Sequence, residues 1–264
     1  MSTPLSGLRA VVTGAGRGIG RATAITLAEQ GADVAVVDVD LHSGRGIPGE
    51  ADDPTTEAIA ALGSRTIGIE ADLTLEASAS TVIDEVVAAW GGLDVLVNVA
   101  GGAITPFEGS QASVTSPADI RRALDVNLMS AIYLCQAAVP ALSQSPSPSI
   151  VNTTSLSAQG VLPGGSYAGY ALSKAALAHY TRYLAEDLGR LNIRVNAVSP
   201  GYIMTGRVRA NSTATGFADK AADSALNRLG DPEDVAGTVA FLVSPQASYI
   251  TGHILAVDGM TRLA

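Results

Sequence analysis

The stretch from Leu8 to Asp38 constrains the fold more than any other. Leu8-Arg9-Ala10-Val11-Val12-Thr13 is short and apolar, as a buried strand is. Gly14-Ala15-Gly16-Arg17-Gly18-Ile19-Gly20 follows, then a helical pattern from Arg21 to Gln30 closed by Gly31. Asp33 to Asp38 is a second strand. Together they make a βαβ unit with a glycine-rich first turn. Glycines let the backbone turn tightly and approach a pyrophosphate, while the helix N-terminus points N–H groups at that charge. The spacing G-x-x-x-G-x-G varies the commoner G-x-G-x-x-G and means little alone. It gains weight from the strand before it, the helix after it and the acid ending the next strand. Asp38 can accept hydrogen bonds from both hydroxyls of an adenosine ribose and would repel a 2′-phosphate. Val39 and Asp40 follow it rather than Arg or Lys. Arg17 in the loop could meet a phosphate, but the fixed Asp38 outweighs it, so NAD is expected over NADP.

Strands and helices alternate through the rest of the chain. Residues 42–54 are rich in Gly, Asp and Pro and read as a surface loop. A helix over 55–62, a strand over 65–69, a helix over 75–90 and a strand over 93–98 follow. Asp72, just after the third strand, suits either an adenine contact or a turn. Residues 118–142 form a long helical pattern containing Asn127, whose amide must be paired or must kink the helix around a water. Strands are expected over 149–154, 192–198 and 254–257. Asp231 and Pro232 start a helix to Val243. No internal repeat or linker divides the chain. Residues 1–264 are therefore expected to form one α/β unit, a doubly wound Rossmann-type domain around a central parallel sheet. The polar, Ala-rich part of about 202–227 reads as a lid.

Composition narrows the function. Hydrophobic residues make up 47% of 264, enough for a large core. The formal net charge is −9 and no Lys/Arg cluster appears, which argues against nucleic acid. Cys135 is the only cysteine, and His42, His179 and His253 lack ligand spacing, so no metal site is expected. No uncharged apolar run of about 18 residues and no signal-peptide pattern appears, so a cytoplasmic protein away from membranes is expected.

Tyr170 and Lys174 are four apart on the expected helix over 167–188, hence on one face. An ammonium beside a phenol favours phenolate and makes a proton-transfer pair. A helical Tyr–Lys pair is common by itself. Here it joins Thr13-Gly14-x-x-x-Gly18-x-Gly20, Asn98-Val99-Ala100-Gly101 and Pro200-Gly201 with Thr205. With these motifs the chain resembles the short-chain dehydrogenase/reductase family over essentially its whole length.

The resemblance implies hydride exchange between a secondary alcohol and a ketone. Tyr170 would be the acid/base and Lys174 its partner on the nicotinamide ribose. Ser157, thirteen residues before the tyrosine, would hold the substrate oxygen, with Ser155 as runner-up. Asn127 would complete a proton relay. Gly14, Arg17, Gly18, Ile19, Gly20, Asp38, Asp72, Leu73, Asn98, Ala100, Gly101, Pro200, Gly201, Ile203 and Thr205 would line the cofactor, with Tyr170 and Lys174. Val99 stands where the family usually has Asn, so loop anchoring must differ there. A homotetramer is implied, packed through the helices over 118–142 and 167–188. Two other readings compete: an NADPH-preferring carbonyl or 3-oxoacyl reductase, and a non-catalytic dinucleotide-binding regulator. Ala103, Ile104, Val161, Leu162, Tyr167, Tyr202 and Met204 are the expected pocket wall. No Arg or Lys stands nearest it, which points to a neutral alcohol or ketone, cyclic or aromatic.

Overall fold

The computed structural model describes residues 3–215 and 217–262. Among them seven strands form one parallel sheet: β1 (Arg9–Thr13), β2 (Asp33–Asp38), β3 (Thr66–Glu70), β4 (Val95–Asn98), β5 (Ser149–Thr153), β6 (Arg194–Pro200) and β7 (Ile254–Val257). Their order is β3-β2-β1-β4-β5-β6-β7. The helices are α1 (Gly18–Glu29), α2 (Thr55–Ala61), α3 (Glu76–Trp90), α4 (Pro117–Leu124), α5 (Ser130–Leu142), α6 (Ala168–Leu188), α7 (Gly206–Thr215) and α8 (Pro232–Val243). Successive strand residues point to opposite faces, and both faces are covered, so the strands read as continuous apolar runs. Val12, Val34 and Val36 pack with Leu27 of α1 and Val239 of α8. Val11, Ala35 and Val37 pack on the other face with Val86 of α3, Leu134 of α5 and Leu188 of α6.

The chain runs outward from β1 to β3, then returns to β4 on the other side of β1. That reversal opens a crevice at the carboxyl ends of β1 and β4, where ligands of such sheets bind. Thr13 closes its floor: its Oγ1 accepts from the N–H groups of both Val99 and Ala100 at 3.1 Å. The anchoring that Val99 cannot make with a side chain is thus made by the main chain.

Several expected boundaries move for local reasons. The long helix over 118–142 is broken by a π-helical segment, Asp125–Met129, that carries Asn127. Taken whole, Pro117–Leu142 is long and apolar enough by composition to cross a membrane, which the charge-free-run test did not flag. It lies instead among α3 and α6, with Leu134, Cys135 and Ala138 fully covered. The strand expected over 192–198 starts later, because Asn192 takes a left-handed φ of 57° that closes the preceding turn. Much of the expected lid is regular: α7 fills its first part and a 3-10 segment, Phe217–Asp223, follows, with residue 216 outside the described residues. Helix α8 begins as expected, with a capping box in which the Asp231 N–H donates to Asp234 Oδ2 at 2.8 Å.

Candidate active site

The glycine loop shapes one side of the crevice. Gly14 has φ +61°, and a Cβ there would lie 2.8 Å from the Ala100 main chain, so only glycine lets β1 and β4 approach so closely. Helix α1 begins at Gly18 with no side-chain cap from Arg17, which leaves its first N–H groups to other acceptors. Asp38 is held in place before any ligand arrives. Its Oδ2 accepts from Gly16 N–H and its Oδ1 from Val39 N–H, both at 2.8 Å. Ile19 sits in the first turn of α1 and packs on the core. From across the crevice, Pro200 ends β6 and Gly201 N–H donates to Val257 at 3.0 Å. Thr205 comes over the loop, its Cγ2 3.4 Å from where a Gly18 Cβ would be. Ile203 is buried and pairs with Gly230 in a short bridge. The glycine turn at the start of α1, the poised Asp38 and Thr205 opposite fit a nicotinamide dinucleotide.

Three expected cofactor residues turn their side chains elsewhere. Asn98 is buried and donates its amide to Asn152 at 2.9 Å with Cys135 alongside, so it ties β4 to β5. Asp72 accepts from Thr74 N–H and Oγ1 and builds the turn before α3. Leu73 is part of the core.

The residues expected to handle the proton come together just past the end of β5 and on α6. Lys174, 3% exposed, donates to the Thr153 carbonyl at 2.8 Å, and its Nζ lies 5.9 Å from the Tyr170 ring centre. Ser155 leaves β5 in extended conformation and starts a 3-10 turn, Leu156–Ala158. Its hydroxyl, rather than that of Ser157, is the one that pulls the Tyr170 phenol pKa down. Ser157 donates to Ser155 instead, at 3.1 Å from its Oγ and 3.2 Å from its N–H. Counting thirteen residues back from Tyr170 leads to Ser157, while Ser155, the runner-up, stands fifteen residues before it and is the hydroxyl that acts on the phenol. Asn127, 1% exposed, lies against Gly101 and bonds the next residue. Its Oδ1 accepts from Gly102 N–H at 2.7 Å, and its Nδ2 donates to the Gly102 and Ala123 carbonyls. Gly101 has φ +140°, and a Cβ there would sit 2.5 Å from Asn127 Oδ1 and 3.3 Å from Lys174 Nζ.

The electrostatics differ from the simple pair. Burial pushes the Tyr170 phenol above its ordinary range, while the Ser155 hydrogen bond and then the Arg207 guanidinium pull it back. Burial also pushes Lys174 down to about 7, so the ammonium alone does not set the phenol's acidity. Arg207 is a cation at this site that the sequence did not single out. Its Nη1 would be 2.8 Å from a Cβ on Gly102. Burial and Arg17 lower its pKa, while Tyr170 and Asp38 raise it. Six residues stand between it and Pro200, and no local pattern marks it.

Beside the expected Tyr167, Phe107 is a residue the sequence did not single out. Tyr167 holds a left-handed φ of 54° just before α6, fixed by its N–H donating to Ser110 Oγ at 3.0 Å. Phe107 packs edge-on against the Tyr167 ring, centres 5.6 Å apart. Val161 is 71% exposed and stands at the rim rather than in the wall. Among the described residues no cluster of three or more His, Cys, Asp or Glu could hold a metal.

A protein-family profile described as enoyl-(acyl carrier protein) reductase matches residues 14–260. Cyclohexanol dehydrogenase of Rhodococcus sp. (strain TK6) is 42% identical over 97% of this chain and 96% of its own length. The 7α-hydroxysteroid dehydrogenase of Escherichia coli (strain K12) is 36% identical over 97% and 94%. A solved 7α-hydroxysteroid dehydrogenase complexed with NADH and 7-oxo glycochenodeoxycholic acid superposes with a TM-score of 0.87. It is 34% identical and covers 100% of this chain and 97% of its own.

Proposed function

The chain belongs to the short-chain dehydrogenase/reductase family, and from that premise we propose that it interconverts a cyclic secondary alcohol and its ketone, with NAD. The observation that carries this is the buried Lys174, anchored on Thr153 with its Nζ 5.9 Å from the Tyr170 ring centre, beside a glycine turn. When bound, the nicotinamide takes up or gives the hydride directly, so no metal is required. Tyr170 accepts the alcohol proton during oxidation and returns it during reduction. Ser155 holds the substrate oxygen at the phenol, and Ser157 orients Ser155. Lys174, anchored on Thr153, hands protons onward toward Asn127.

NAD is favoured over NADP because Asp38 is already fixed by two backbone donors and would face a 2′-phosphate at close range. A ring-shaped substrate is favoured by the names of the relatives and by the aromatic corner of Phe107 and Tyr167. Arg207 is assigned to the cofactor side, since Asp38 and Arg17 share its field. An NADPH-preferring carbonyl or 3-oxoacyl reductase is the second reading, with Arg17 in its favour. A non-catalytic regulator is disfavoured by the intact Ser155, Tyr170 and Lys174. Assembly into a homotetramer through α6 is supported by Leu172, His179 and Tyr183, which share one exposed face of that helix. The test is a panel of cyclic, linear and carboxylated alcohols and ketones, followed by NADH absorbance in both directions. Turnover of cyclohexanol-like rings is expected; a strong preference for dicarboxylates contradicts the reading.

A further inference from the structure

The loop over residues 42–54 folds back across the crevice rather than standing off the surface. The Glu50 carboxylate bridges two helix N-termini. Its Oε2 accepts from the Gly18 N–H that opens α1 at 3.0 Å, and its Oε1 from the Gly206 N–H that opens α7 at 2.7 Å. The loop is tied down on both sides of this residue. Glu50 N–H donates to Ile47 at 3.0 Å, and Gly46 N–H to Asp52 at 2.9 Å. Beyond it, Arg21 donates to the Asp53 carbonyl at 2.8 Å, and Thr55 Oγ1 to the Ala15 carbonyl of the glycine loop at 2.7 Å. Glu50 is therefore presented to the start of α1 by a structured loop.

We propose that Glu50 is a latch on the cofactor's phosphate subsite, an internal anion that the dinucleotide must displace. The proposal rests on the reading that the start of α1 receives the pyrophosphate. A carboxylate and a phosphate seek the same thing there: backbone N–H donors at the positive end of a helix dipole. Both cannot hold Gly18 N–H, and two anions at that range repel. The displaced carboxylate has somewhere to go. A cavity of about 310 Å³ adjoins it, lined by Arg21 and Arg209 and also by Asp231 and Glu233 at the start of α8. Arg209 already reaches the neighbouring Gly49, its Nε 2.7 Å from where a Cβ would be. Since Gly206 opens α7, displacement of Glu50 also unties the 42–54 loop from the expected lid. Cofactor arrival and lid release become one event.

The test is calorimetric binding of ADP-ribose, which carries the adenosine and pyrophosphate but cannot turn over, to the wild-type chain, Glu50→Gln and Glu50→Ala. Adenosine, which has no phosphate, is the control. The latch requires both variants to bind ADP-ribose about tenfold more tightly, with adenosine affinity unchanged. Equal ADP-ribose affinity in all three chains, weaker binding by the variants, or the same gain for adenosine would overturn it. Failure of every folded chain to bind ADP-ribose would overturn the dinucleotide reading itself, and the latch with it.

Discussion

The Ser155 hydroxyl pulls the Tyr170 phenol pKa down, while the Ser157 hydroxyl donates to Ser155 Oγ at 3.1 Å. In the proposed mechanism a substrate oxygen at Tyr170 therefore has Ser155 as its serine partner. Ser155→Ala should lower kcat about a hundredfold, the usual cost of losing one donor to developing charge. Ser157→Ala should cost no more than about tenfold, as loss of an orienting hydrogen bond does. Steady-state kinetics on the best panel substrate decide the order; a larger loss at Ser157 would reverse the assignment.

Asp38 is poised by Gly16 and Val39 before cofactor arrives. Comparing kcat/KM for the two cofactors should show NADH preferred over NADPH. Asp38→Ser removes both the charge and one acceptor, and should shrink that preference on the order of tenfold or more. An NADPH preference in the wild-type chain would contradict the role given to Asp38.

Lys174 carries a pH signature in stability. Burial lowers it to about 7 from an ordinary 10.5. Between those values the unfolded chain holds a proton that the folded chain has released, so this group's contribution to stability rises with pH across that window. Below it, the full cost of burying an ammonium is present. Lys174→Met should therefore raise Tm relative to wild type most at pH 6, and the difference should fall steadily toward pH 10. Loss of the bond to Thr153 adds a pH-independent offset. A difference that stays flat with pH would contradict the buried ammonium.

Much of this was readable in one dimension because its causes are local. The glycine turn, the acid closing β2 and the Tyr–Lys spacing are each set within a few residues, and the parallel sheet follows from the alternation of elements. What was misread depends on distance in sequence or on loop length. Asn98 looked like a crevice residue, but its amide answers to Asn152 and Cys135 across the sheet. Arg207 reaches Gly102 and Tyr170 from α7, and Glu50 reaches Gly18 across 32 residues and Gly206 across 156. No short pattern encodes such meetings. The kink at Asn127 was half legible: an amide in an apolar helix demanded partners, and the π-helical segment shows which ones it took.

The central claim is that Tyr170 moves the proton while the rest of the site binds. It is tested most directly by single-turnover stopped flow of wild type and Tyr170→Phe, following NADH formation from a cyclic secondary alcohol, with NADH affinity measured in parallel by fluorescence. The account requires the hydride-transfer rate to fall about a thousandfold with NADH affinity little changed. An unchanged transfer rate in Tyr170→Phe would contradict it.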